Sequence, residues 1–279
     1  GDIENSIQQI NGLSNNTVLS LQEDIEENIW LGLDNGINVL NSTSPFKEYQ
    51  DNYGVLGTVY TSARHNGKLY LGTNQGLFVK TLDQTRAFEL IQNTEGQVWN
   101  LTILDEQLFC GHDKGTFLIK GKGAQNISSV DGSWIFRQHP TKKNLILQGN
   151  YDGLHVLEKK NNNWQYRNKI NGFDISSRFF AFVSNSTVLI SHEYKGVFKV
   201  ELNESLMKVN KWSIETSVEK GYNSSLEEFD DKIYYRNSEG VFRFNRNRST
   251  FEVDNELTPY FPKESYVTGK MINDGQGKF

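Results

Sequence analysis

The 279-residue sequence predicts an all-β fold, a β-propeller of four-stranded antiparallel blades, and three observations predict it. A strand–turn–strand unit recurs six times, each copy carries a glycine at its turn, and no helical pattern of about 10–15 residues separates the strand-like segments. The copies read IWLGLDNGINVL (29–40), LYLGTNQGLFVK (69–80), LFCGHDKGTFLI (108–119), LILQGNYDGLHVL (145–157), VLISHEYKGVFKV (188–200) and IYYRNSEGVFRF (233–244). Their turn glycines, Gly36, Gly76, Gly115, Gly153, Gly196 and Gly240, are spaced by 40, 39, 38, 43 and 44 residues. A tight hairpin turn needs φ above zero at a residue without a Cβ, which explains glycine there.

The first four copies carry a second glycine four residues earlier: Gly32, Gly72, Gly111 and Gly149. A glycine inside a strand costs stability unless another backbone or a large ring comes close, so these predict contact points between neighbouring sheets. Upstream of each hairpin stands a further apolar stretch, as in TVYTSARH (58–65), VWNLTILD (98–105) and RFFAFVS (178–184). Downstream comes a shorter one, as in PFKEYQ (45–50), AFELIQ (87–92), WQYRNKI (164–170) and TFEVDNEL (250–257). Four short strands in each period of about 40 residues describe propeller blades. Blade starts fall near residues 17, 58, 98, 134, 178, 223 and 267, in one propeller domain over 1–279. The segment from Val267 to Phe279 repeats the pattern of Val18 to Trp30 and predicts the first strand of a seventh blade, while SIQQINGLS (6–14) takes the place of a fourth strand. Six complete repeats plus a partial seventh imply a seven-bladed parent architecture, with an edge left to cover at the gap.

Composition narrows the function. Lys and Arg total 29 against 34 Asp and Glu, a net charge of −5, which argues against nucleic acid or anionic lipid as a direct partner. No apolar run approaches the roughly 18 residues of a membrane span. The single cysteine, Cys110, excludes an intramolecular disulfide and a cysteine-cluster metal site, and its strand setting predicts a buried small hydrophobe.

The opening stretch, NGLSNNTVLSLQEDIEENIWLGLDNGINVLN (11–41), closely resembles the two-component regulator propeller repeat: GLS, paired asparagines, an acidic turn, then N-I-W, a glycine and D-N-G. LYLGTNQGLF (69–78) is a good second match. Later copies drift, with His112 at the turn's first position, an added residue in HEYKG (192–196), and RNSEG (236–240) lacking the inner glycine. The resemblance implies the extracytoplasmic sensor region of hybrid two-component or LuxR-type membrane-bound transcription regulators of Bacteroidetes-type bacteria. It implies a periplasmic location and downstream domains of the same receptor as partners: a small β-sandwich, a membrane helix and a cytoplasmic output. No kinase signature, phosphate-binding glycine loop or basic recognition helix occurs in these residues.

Catalytic signals are weak. The five histidines, His65, His112, His139, His155 and His192, fall in different repeats without the i, i+4 pairing of a helix-borne zinc site, and no G-x-S-x-G elbow occurs. No catalytic residue, metal site or cofactor is assigned, and a lyase or hydrolase is the weakest of three readings. Binding is better supported. In a propeller, the turn within each hairpin and the segment entering the next inner strand share one face. That geometry gathers His112, Tyr151, His192 and Tyr194 from hairpin turns with Trp99, Trp134, Arg178 and Tyr222 from strand entries. Aromatic planes among polar groups suit a sugar, whose C–H faces stack on rings while its hydroxyls need donors and acceptors. Both tryptophans also begin inner strands, a position equally suited to packing between blades. The expectation is a non-enzymatic sensor module binding an oligosaccharide or a partner protein, the rival being a scaffold that forms a homodimer.

Overall fold

The structure, a computed structural model, describes residues 6–9, 12–41, 44, 54–82, 87–261 and 263–272. The chain divides into two compact units, residues 1–57 and 58–279. The first holds one three-stranded meander: β1 (Val18–Glu23), β2 (Asn28–Leu33) and β3 (Ile37–Asn41). Leu13 covers one face of this sheet, packing with Leu31 and Leu33. The fourth strand expected at 45–50 lies outside the described residues.

The second unit holds five four-stranded meanders, each in simple chain order. They are β4 (Val59–His65), β5 (Lys68–Thr73), β6 (Leu77–Thr81) and β7 (Glu89–Leu90); β8 (Val98–Leu104), β9 (Gln107–His112), β10 (Gly115–Lys120) and β11 (Gly123–Ser128); and β12 (Ile135–Gln138), β13 (Leu145–Asn150), β14 (Gly153–Lys160) and β15 (Asn163–Lys169). β16 (Phe179–Phe182), β17 (Thr187–His192), β18 (Gly196–Leu202) and β19 (Val209–Ile214) form the fourth, and β20 (Ser225–Phe229), β21 (Lys232–Asn237), β22 (Gly240–Asn245) and β23 (Thr250–Val253) the fifth. All strand pairings within the sheets are antiparallel.

Turn chemistry explains the meanders. All six hairpin glycines have positive φ, from +100° at Gly196 to +149° at Gly76 and Gly240. The opposite turns are two-residue loops with both residues left-handed: Asn66–Gly67, Asp105–Glu106, Asn161–Asn162 and Asp230–Asp231. That geometry matches the right-handed twist of the flanking strands, and Asn, Asp and Gly adopt it at least cost.

The cores lie between consecutive sheets. Tyr70, Leu77, Val79 and Ile91 of the β4–β7 sheet meet Val98, Leu101, Leu108 and Cys110 of the next. Phe109, one residue from both Leu108 and Cys110, points the other way and packs with Phe136, Ile146 and Trp164 of the β12–β15 sheet. Leu147 and Val156 then meet Val188 and Phe198, and Leu189 and Val197 meet Leu226, Ile233 and Phe251. Side chains alternate across a strand, so a strand sandwiched between two sheets must be apolar at successive positions. That is why the middle strands read as unbroken runs, and why Cys110 is fully buried, with its thiol pKa pushed far up by burial. These are the face-to-face blades of a β-propeller.

Three of the four inner glycines sit at close approaches between these blades; Gly32 instead faces Ser20 of its own sheet, so the expectation fails there. A Cβ on Gly72 would run into Val98, one on Gly111 into the Ser133 carbonyl oxygen, and one on Gly149 into the Ser177 carbonyl oxygen. In each case the obstacle is the segment entering the next sheet.

The seventh-blade segment differs from expectation. Residues 266–272 form no strand, and 273–279 lie outside the described residues. Instead this segment lies along the start of β20: Gly269 N–H donates to Asn223 O at 2.8 Å, Ser225 Oγ donates to Gly269 O, and Met271 packs with Tyr234 and Val241. Lys270 Nζ reaches the Tyr60 carbonyl oxygen at 3.5 Å, back on β4. No strand forms among the described residues of 6–14 either.

Gly149→Ala is expected to destabilise the protein by about 1–3 kcal/mol or more, because backbone blocks the new methyl group. Gly123→Ala, whose nearest neighbour is Lys120 O at 3.7 Å, should stay within about 0.5 kcal/mol. Urea unfolding of both variants checks this; equal effects would deny the close approach.

Candidate functional site: an aromatic strip across the strand entries

Because each inner strand starts beside its neighbour's, residues at equivalent entries line up. Tyr60, Trp99 and Trp134 form a continuous strip: ring centroids are 5.0 Å apart for Tyr60 and Trp99, tilted by 36°, and 4.8 Å for Trp99 and Trp134, tilted by 37°. Tyr151, from the β13–β14 turn, meets Trp134 edge-on at 5.2 Å. Arg178, at the next entry, sets its guanidinium carbon 5.0 Å from the Trp134 ring centre and 5.2 Å from that of Phe179. Tyr60, Trp99 and Trp134 are half-buried, whereas Tyr151 and Arg178 are exposed.

The rings are held in place. Trp99 Nε1 donates to Tyr151 Oη at 3.1 Å, and Trp134 Nε1 donates to Ser176 Oγ at 3.2 Å. Tyr151 lies flat against Gly132, where any Cβ would enter its ring and where φ is +71°. Burial, aided by the charges of Asp113 and Asp131, raises the Tyr151 phenol above its ordinary pKa, so the neutral hydroxyl persists as a donor.

Beneath the strip runs a buried polar network. Gln148 Nε2 donates to Asn150 Oδ1 at 2.7 Å and to Ser133 Oγ at 3.0 Å, while Thr116 Oγ1 donates to Gln148 Oε1 at 2.7 Å. Asn150 Nδ2 donates to the Asp131 carbonyl at 2.9 Å. All four side chains are fully buried, and every amide is partnered, as an interior polar cluster requires. The network ties Ser133, next to Trp134, to Asn150, next to Tyr151, and so holds the two rings in register.

The remaining expected residues fall elsewhere. His112 is 1% exposed; Nε2 meets the Thr94 carbonyl at 3.2 Å, and Nδ1 lies 3.0 Å from Lys114 N and 2.6 Å from Asp113 Oδ1. His192 Nδ1 accepts from Tyr194 N–H at 3.2 Å. Thr73 Oγ1 and Asn237 Oδ1 make the same turn-capping bond in their hairpins, to Gln75 and Glu239 N–H. Burial is the largest influence on both histidines and lowers their pKa, favouring the neutral ring that can accept. Tyr194 and Tyr222 stand 6.3 Å apart, 60% and 66% exposed, near the last blade. No ring contact joins this pair to the strip among the described residues. Tyr60, Ser176 and Gly132 are new to the site; Tyr60 follows Val59 as Trp99 follows Val98, so the repeat register itself carried that signal.

The strip is an open surface. A cleft of about 270 Å3 lies at the turns on the opposite strand ends, lined by His65, Asn66, Glu106, Lys120, Asn162 and Trp164. It lacks a comparable ring platform. Inside the second unit, Glu227 of β20 is half-buried near Arg137 and Lys270, and Arg137 Nη1 also lies 3.3 Å from Glu228. Burial outweighs both cations and raises Glu227 to a pKa of about 7. No group of three His, Cys, Asp or Glu suited to a metal occurs among the described residues.

No protein-family model and no curated protein match the chain. Solved structures do. The extracellular domain assigned to the hybrid two-component system BT4673 of B. thetaiotaomicron matches at a TM-score of 0.55 and 16% identity over 88% of this chain and 37% of that one. A structure describing BT4673 as a one-component system matches at 0.52 and 16%, over 85% and 33%. The WD40 propeller domain of Doa1 matches at 0.49 and 11%, over 83% and 76%. The chain thus spans about a third of the BT4673 domains, and the likeness is one of fold.

Gln148→Leu, which strands Thr116, Ser133 and Asn150 without their partner, should cost about 1–3 kcal/mol in urea unfolding; a neutral result would deny the network. Glu227 has its carboxyl pKa raised from about 4.3 in the unfolded chain, so its burial costs nothing below that value, costs progressively more as pH rises toward about 7, and costs the full amount above it. Glu227→Gln should therefore stabilise by on the order of 1–2 kcal/mol at pH 8 and not at pH 4. A gain independent of pH would contradict this.

Proposed function

We propose that the chain is a non-enzymatic, extracytoplasmic sensor propeller of a membrane-bound regulator, and that its ligand is an oligosaccharide bound along the Tyr60–Trp99–Trp134 strip. The observation that carries this reading is the strip itself: three half-buried rings at successive strand entries, with both indole N–H groups already bonded and the faces held in fixed orientation. Such rings offer apolar planes to sugar C–H groups at little further entropic cost, and the Tyr151 hydroxyl, which accepts from Trp99, keeps its own proton for a ligand oxygen. An open strip favours an extended chain over a compact metabolite. The sensor assignment is supported by the opening repeat's resemblance to regulator propellers and by a fold shared with the extracellular domains of BT4673. Signalling then requires that the ligand bind two arrangements of the receptor with different affinity.

A thermal-shift screen over an oligosaccharide panel tests it. A ligand at 100 times its Kd stabilises the folded chain by about 2.7 kcal/mol and raises the melting temperature accordingly. The shift should disappear in Trp134→Ala. A panel without any response, or a response that survives Trp134→Ala undiminished, would overturn the assignment of the strip.

A further inference from the structure

Resting on that reading, we infer that the ligand is an acidic saccharide, one whose carboxylate or sulfate group is taken by Arg178 at the end of the aromatic strip. Arg178 is held by rings alone, its guanidinium lying near both Trp134 and Phe179. Among the described residues, no carboxylate lies within ion-pair distance of it and no oxygen accepts from its five N–H donors. Several other arginines are held by carbonyls or carboxylates, while Arg236 is likewise set against rings, those of Phe261 and Tyr266, but is half-buried. Arg137 donates to the Phe180 carbonyl and pairs with Glu228, Arg246 donates to the Val183 and Phe182 carbonyls, and Arg248 pairs with Glu252. Arg178 is exposed and without such partners among the described residues, and it stands beside a ring platform that spans three blades.

A planar fork of donors, fixed by stacking, fits an oxyanion bidentately, and stacking on Trp134 limits the freedom lost when it binds. The strip is also polar in its charge. The carboxylates that act on one of its rings, Asp113 and Asp131, bear on Tyr151, whereas no carboxylate among the described residues pairs with Arg178. An acidic sugar would therefore lie with its anionic group at Arg178 and a hydroxyl oxygen toward Tyr151. Sulfate and uronate share this chemistry, and the probes separate them.

A glycan array carrying neutral oligosaccharides, uronate oligosaccharides and sulfated oligosaccharides, probed with the wild-type chain, Arg178→Gln and Arg178→Lys, decides the matter. Binding confined to acidic glycans, weakened at least tenfold in Arg178→Gln and less in Arg178→Lys, is the expected result; the uronate and sulfate sets identify the group. Melting temperatures of the three proteins should agree closely, since Arg178 is an exposed residue. Neutral glycans bound as well as acidic ones, or acidic binding indifferent to Arg178→Gln, would overturn the inference while leaving the saccharide reading intact. An array with no binder at all would overturn both.

Discussion

Burial of both faces of the blades in the middle of the second unit is the constraint on which the rest of this structure depends. A strand such as Gln107–His112 sends Leu108 and Cys110 toward one neighbouring sheet and Phe109 toward the other, and none of the three retains contact with water. Apolar area removed from water on both sides stabilises each blade by on the order of 25 cal/mol per Å2, but only while its neighbours stay in place. Sheets of about 40 residues that cannot bury themselves alone must therefore stack in chain order. The inner glycines follow from this. Two sheets can share a core only if their inner ends come close, and at Gly72, Gly111 and Gly149 the next segment occupies the space a side chain would need.

The candidate site is a by-product of the same stacking. Once the entries to successive inner strands are forced together, residues at one register position meet across blades whether or not they are distant in the chain. Tyr60, Trp99 and Trp134 are at that position, and Arg178 follows them one blade on. The Gln148 network lies where hairpin turn and strand entry meet, so the blade contact and the ring orientations rest on the same hydrogen bonds.

Much of the fold was legible in the chain because two-sided burial leaves a plain record: apolar runs with no alternation, a turn glycine, and an inner glycine at fixed offset. The site was legible in part. Trp99, Trp134, Tyr151 and Arg178 are recognisable as residues of one face, but which rings touch depends on the stagger between sheets, a distance that no spacing in the chain records. His112 and His192 illustrate the limit. Their equivalent positions suggested convergence on a ligand, while the structure uses each Nδ1 to cap a turn, the task done by Thr73 and Asn237 in other blades. The segment after Val267 illustrates another: a strand pattern forms a strand only if a partner edge is present, and here the described residues bond to the start of β20 instead.

The propeller packing depends on contact between sequential blades, and a double-mutant cycle on Phe109 and Phe136 measures that contact. The rings belong to adjacent sheets, with centroids 5.7 Å apart. With Phe109→Leu, Phe136→Leu and the double variant compared by urea unfolding, a coupling of about 0.5–1.5 kcal/mol is predicted. Additivity to within about 0.3 kcal/mol would mean that the two sheets do not share a core, and would contradict both the propeller packing and the aromatic strip built on it.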